Sequence, residues 1–181
     1  MCWLFSFDQN WRFSPDPEWL NSPDSNNMFD FIRKDNNVYA PVKGKCIDIT
    51  EVKDDVFSNK LLGDGIAIIP EDNVLRAPCS GKLTMVFDTL HAIGITTNDG
   101  LEILIHIGID TVNEGGKGFE IIKKQNSRIR KGEPLLKFDL NALKEKYDMS
   151  IMMIITNHMK IIKESLDSEV DNSTAVMRKE G

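Results

Sequence analysis

Residues 89–110 read Thr-Leu-His-Ala-Ile-Gly-Ile-Thr-Thr-Asn-Asp-Gly-Leu-Glu-Ile-Leu-Ile-His-Ile-Gly-Ile-Asp: two short apolar runs joined by a turn, with one histidine on each run. Successive strand side chains face opposite sides. In the second run Ile103, Ile105, Ile107 and Ile109 therefore share one face, which reads as a core face. Leu104, His106, Gly108 and Asp110 share the other. The turn Thr97-Asn98-Asp99-Gly100 has hairpin chemistry. A two-residue loop at Asn98-Asp99, or a four-residue loop over residues 97–100, sets His91 directly opposite His106, with Cβ atoms about 4.5–5.5 Å apart. A loop at Asp99-Gly100 sets His91 against Gly108 instead. We take the first register. Thr89 and His91, two apart, share a face.

Two neutral imidazoles on one strand face suit three tasks. They can bind a metal, act as a base with its orienter, or carry a phosphoryl group on one ring while the other donates a hydrogen bond to it. The third task needs one ring nitrogen exposed and unprotonated, and the other held by an acceptor. The Gly108 carbonyl is available to His106, and the Thr89 hydroxyl can accept from His91. The plain alternative is a pair of ordinary half-buried sheet histidines. Two of the chain's three histidines in this arrangement, with a threonine and an aspartate in phase, weigh against it.

The residues Asp64-Gly65-Ile66-Ala67-Ile68, the Thr89/His91-Ala92 pair and His106-Ile107-Gly108-Ile109-Asp110-Thr111-Val112 resemble the glucose-type enzyme IIA domain of the bacterial phosphoenolpyruvate-dependent sugar phosphotransferase system. The resemblance runs from about Val38 to Gly181. It implies a phosphocarrier that accepts a phosphoryl group from the small carrier HPr and passes it to the cysteine of a IIB domain. It implies that His106 is phosphorylated at Nε2, that His91 stabilises the phosphoryl group and that Thr89 orients His91. It implies that Asp110 and Asp54 are flanking carboxylates that meet a basic donor, beside the Gly108 carbonyl read above as an acceptor for His106. Val56, Phe57, Phe87 and Leu104 are the candidates for its apolar docking face; each reads equally well as core. Leu90 departs from the pattern, standing where a polar Asn is common. A free-standing domain of this kind can also regulate, binding permeases or kinases when unphosphorylated.

A zinc hydrolase built on His91, His106 and Asp110 is the rival from another class. Against it, the chain has no His-X-His, no His-Glu-X-X-His and no clear general base. No cofactor is expected; a zinc shared with a partner at His91 and His106 stays open. The glycine-rich residues 111–118 lack Gly-Lys-Ser/Thr and read as a turn, so a nucleotide is not the expected donor.

Composition narrows the class. The 181 residues carry a net charge of −6, with no basic stripe, which argues against nucleic acid and suits a basic protein partner. Cys2, Cys46 and Cys79 are scattered and form no disulfide framework, which favours a reducing, cytoplasmic location. No apolar run approaches the ~20 residues of a membrane span. Residues 1–36 hold Trp3, Trp11 and Trp19 among Pro, Asp, Asn and Phe without a period; we expect a loose or folded-back arm. No Lys or Arg precedes Arg12, so the basic start of a signal peptide is missing. Residues 37–181 form the expected domain.

Within it, Ala40-Pro41-Val42-Lys43-Gly44-Lys45 recurs as Ala77-Pro78-Cys79-Ser80-Gly81-Lys82, each a turn feeding a strand. The fold expected is all-β: a duplicated antiparallel sandwich or barrel with short helical turns. The helical turns are placed at residues 140–147 and, capped by Asn157, at residues 157–162. His158 reads as a surface histidine, and residues 173–179 as the last strand.

Overall fold

The central apolar run decides how the sheet is layered. Ile151-Met152-Met153-Ile154-Ile155 has no polar face, and all five side chains are buried in strand β11 (Ile151–Ile155). Such a run needs cover on both sides. The computed structural model describes residues 35–180 and shows where the cover comes from. The other strands are β1 (Asn37–Tyr39), β2 (Gly44–Asp48), β3 (Asp64–Pro70), β4 (Val74–Arg76), β5 (Gly81–Val86), β6 (Ala92–Thr97), β7 (Glu102–Ile107), β8 (Phe119–Ile121), β9 (Arg128–Ile129), β10 (Pro134–Phe138), β12 (Ile161–Lys163), β13 (Glu169–Val170) and β14 (Ala175–Lys179). Among the described residues, two four-residue helices, α1 (Asp55–Ser58) and α2 (Leu140–Leu143), complete the regular structure together with 3₁₀ turns at Ile49–Glu51 and Thr111–Glu114.

Eight strands form one antiparallel sheet in the order β13-β2-β3-β11-β7-β6-β5-β9, flanked by the three-stranded sheets β1-β14-β12 and β4-β10-β8. One face of the large sheet packs on the main core, which holds Ile103, Ile105, Ile107, Ile151, Met153, Ile66 and Ile68. The opposite face has its own smaller core of Ile47, Ile49, Val52, Phe57, Ala67, Ala92, Leu104, Met152 and Ile154. The chain between β2 and β3 folds over this second face. Its caps are local: Asp48 and Glu51 form a capping box on the 3₁₀ turn, and Asp54 accepts from Val56 N and Phe57 N at the start of α1.

The all-antiparallel β class is as expected, and both Pro-X-X-Gly repeats feed strands, β2 and β5. In each copy the glycine is required by a close backbone crossing. A Cβ on Gly44 would lie 2.0 Å from the Ile69 carbonyl oxygen, and one on Gly81 2.4 Å from that of Thr96.

Several local expectations are corrected. The β6–β7 hairpin has a three-residue loop, with Thr97 N bonded to Leu101 O and Gly100 at φ +86°. His106 therefore pairs with Ala92, so neither expected register forms. β7 ends at Ile107, and Gly108 (φ +72°) and Asp110 (φ +60°) turn the chain, so Ile109 packs with the smaller core rather than with the other isoleucines. Residues 157–162 are not helical: the Asn157 amide donates to Gly100 O at 2.6 Å instead of capping, and β12 begins at Ile161. The helix expected over residues 140–147 is only α2. The arm and its tryptophans lie outside the described residues.

Lys163 on β12 ties a small sheet to the large one. Its Nζ lies 2.8 Å from Asp48 Oδ2 and 2.7 Å from Asp64 Oδ1. Burial raises the Asp48 carboxyl, but hydrogen bonds from Lys163 and Thr50 outweigh it and hold the group at about 2. A carboxyl depressed on folding stabilises the fold above its unfolded value of 3.8, and the contribution is lost as pH falls through about 2. Lys163→Met strands both carboxylates and is expected to cost about 1–3 kcal/mol, read as a lowered urea midpoint at pH 7. Its stability should fall less steeply than wild type between pH 4 and 2; an unchanged acid limb would contradict this role.

Candidate functional site

The two histidines reach one place by different routes. His106 sits on β7 in the middle of the sheet, between Ala92 of β6 and Met152 of β11. It rises from the smaller core, its ring 5.1 Å from that of Phe57. His91 precedes β6. Its carbonyl accepts from Ile107 N at 2.8 Å, so strict alternation would turn its ring toward the main core. His91 instead leaves a turn in which Leu90 is left-handed at φ +57° and Leu90 N donates to Phe87 O at 2.8 Å. The ring swings onto the His106 side instead. The imidazole centroids lie 5.0 Å apart, edge to face at 76°, and Phe87 flanks His91 at 5.1 Å.

The two Nδ1 atoms differ in their surroundings. That of His91 lies 2.5 Å from Thr89 Oγ1. That of His106 is sealed from solvent and has no regular hydrogen bond. The residue as a whole is half-buried, which leaves Nε2 on the accessible edge. Burial first, and the adjacent His91 second, push His106 down to about 3, while the Gly108 carbonyl acts in the opposite sense without reaching regular hydrogen-bond geometry. Burial also lowers His91. Both shifts favour the neutral form of the rings.

The other predicted residues separate. Val56 is half-buried on α1, and Phe87 is 37% exposed. Phe57 and Leu104 are buried at 6% and 8%, so they form the floor beneath His106 rather than its outer rim. Asp54 is engaged as the α1 cap. Asp110 is exposed and makes no side-chain capping bond. Among the described residues no three His, Cys, Asp or Glu side chains gather as metal ligands, so Asp110 does not complete a three-ligand zinc set with the histidines. The motif reading included Thr111 but gave it no role; it is fully buried with its Oγ1 donating to Ile107 O at 2.5 Å. The same reading passed over Tyr147, whose hydroxyl donates to Glu114 at 2.8 Å and braces the loop after His106. A threonine one residue beyond a polar strand end was the available signal for the first; nothing local marks the second.

The antiparallel fold sets two imidazoles side by side, close enough to hold one small anion between them. The family model described as phosphoenolpyruvate-dependent sugar phosphotransferase system, EIIA 1, matches residues 36–161, and the chain belongs to that family. Its relatives include the glucose-specific EIIA component of Buchnera aphidicola subsp. Baizongia pistaciae, 40% identical over 128 residues that cover 71% of this chain and 76% of that protein. The glucose-specific EIICBA component of Staphylococcus carnosus is 51% identical over 122 residues, 67% of this chain but 18% of that longer protein. Among solved structures, the glucose permease IIA of Mycoplasma capricolum superposes with a TM-score of 0.72 at 38% identity, covering 80% of this chain and 96% of that one. As a family member the chain is a phosphotransferase component with a phosphocarrier role in sugar uptake. Among the described residues no helix is long and apolar enough to cross a membrane.

Proposed function

We propose that the chain carries a phosphoryl group on His106 Nε2, taking it from phospho-HPr and giving it to the cysteine of a IIB domain. The observation that supports this most is the pair of imidazoles 5.0 Å apart, with the buried nitrogen of His106 turned inward. In the first step the Nε2 lone pair attacks phosphorus on the donor's phosphohistidine. The donor N–P bond breaks, and its electron pair stays on the departing imidazole. In the second, a thiolate attacks the same phosphorus, the His106 N–P bond breaks, and its pair returns to Nε2. Positioning and charge stabilisation supply the catalysis.

His91 serves as hydrogen-bond donor to the phosphoryl oxygens. A neutral ring that donates from Nε2 must accept at Nδ1, so the Thr89 hydroxyl donates to His91. That is the reverse of the sense expected from the sequence. Phe57 and Phe87 limit water around the transfer. Asp110, which is exposed, would meet a cationic donor. The free thiols of Cys46 and Cys79 suit the reducing cytoplasm.

Incubation with phosphoenolpyruvate, enzyme I and HPr, followed by peptide mapping under neutral conditions, is expected to find one phosphohistidine, at residue 106. Phosphate on another residue, or none, would overturn the assignment.

A further inference from the structure

We propose that Thr111 is a positioning residue for His106: its side chain holds the two carbonyls that follow His106 so that the Gly108 oxygen receives the Nδ1 proton and Nε2 keeps its lone pair. The inference deepens the phosphocarrier reading and rests on it.

Thr111 is 0% exposed and grips the chain with both branches of its side chain. Its hydroxyl donates to Ile107 O at 2.5 Å, with Gly108 O at 3.4 Å. Its methyl lies against Gly108, where an added Cβ would come within 2.6 Å of Thr111 Cγ2. The amide side of the same segment is held from across the chain, by Gly108 N on Ser150 O at 3.0 Å and Ile109 N on Asp148 O at 2.8 Å. The carbonyl side depends on Thr111. Gly108 has no side chain to restrain its peptide, and at φ +72° it can rotate more freely than any other residue would.

The orientation of that peptide matters because His106 Nδ1 is buried without a regular partner. A neutral imidazole places its proton on one of two nitrogens. With the Gly108 oxygen aimed at Nδ1, the proton belongs there and Nε2 is a nucleophile. With that oxygen turned away, the proton moves to Nε2, the accessible edge, where it blocks attack on phosphorus. Thr111 touches neither the ring nor the phosphoryl group; it acts through one carbonyl.

The test uses the full chain labelled with ¹⁵N-histidine. Long-range ¹H–¹⁵N correlation spectra report the tautomer of His106 in the unphosphorylated protein, with no dependence on carrier activity. Wild type is expected to be mainly the Nδ1–H form. Thr111→Val, which keeps shape and loses the hydroxyl, is expected to move His106 toward the Nε2–H form. It should also slow phosphorylation by HPr by roughly 10–100-fold, the usual effect of losing an outer partner that fixes an imidazole. Thr111→Ser is expected to restore the wild-type tautomer.

A valine variant that melts earlier but keeps tautomer and rate would reduce Thr111 to packing and overturn the proposal. Should valine fail to fold, serine decides by itself: a shifted tautomer with the hydroxyl still present overturns the assignment, and the wild-type tautomer supports it. If wild type takes no phosphate on His106, the carrier reading fails, while the spectra still show whether Thr111 sets the ring.

Discussion

His106→Ala is expected to abolish phosphoryl acceptance, a fall on the order of 10³-fold or more, as for loss of any covalent nucleophile. The adjacent imidazole cannot take over. His91 is 8% exposed, and its Nδ1 is occupied by Thr89. In the proposed role it flanks a group on its neighbour and does not meet a donor protein. The alanine chain should remain folded. His106 lies at the edge of the smaller core, and losing its contact with Phe57 removes about 1 kcal/mol. Incubation with enzyme I, HPr and phosphoenolpyruvate, read by intact mass alongside a thermal melt, separates the two effects. A folded alanine variant that still gains a phosphoryl group would move the acceptor elsewhere in the chain.

Gly65→Ala is expected to force apart two central strands of the large sheet. The Cβ would stand 2.0 Å from Met153 O and 2.9 Å from Ile154 Cα, both backbone atoms of the neighbouring strand. Unlike a clash with the end of a flexible side chain, this one cannot be relieved by a rotamer change. β3 and β11 must separate, and β11 also carries Met152 beside His106. Overpacking with a rigid neighbour costs about 3 kcal/mol or more, which lowers the melting temperature of a domain this size by about 10 °C. Calorimetry against wild type measures it. A variant that melts with wild type would mean that the two strands have slack at their central rungs.

What could be read in advance followed from local rules. The alternation in β7 was legible because Ile103, Ile105 and Ile107 obey the pleat. The Pro-X-X-Gly repeats were legible because a proline followed by glycine marks a turn wherever it stands. The pairing of His91 with His106 was anticipated, but for the wrong geometric reason. The hairpin loop has three residues, and the rings meet although His91 stands opposite Ile107, where the chain enters β6 from a turn through left-handed Leu90. The second core was hidden for a related cause. Leu104 and Met152 look like isolated apolar residues until the segment after β2 folds across them, and that segment is too short in helix to announce itself. The turn expected after Asn157 failed because its amide found a partner 57 residues away in sequence, at Gly100.

The unlike mountings of the two imidazoles have a mechanical result. One is bolted to a central strand flanked by neighbours on either side; the other hangs from a four-residue bend at the rim. In the proposed transfer the ring on the central strand would stay put, and its companion would move with the bend and with Thr89, which holds its Nδ1. Backbone amides at residues 88–90 should accordingly exchange with deuterium well before those of β7.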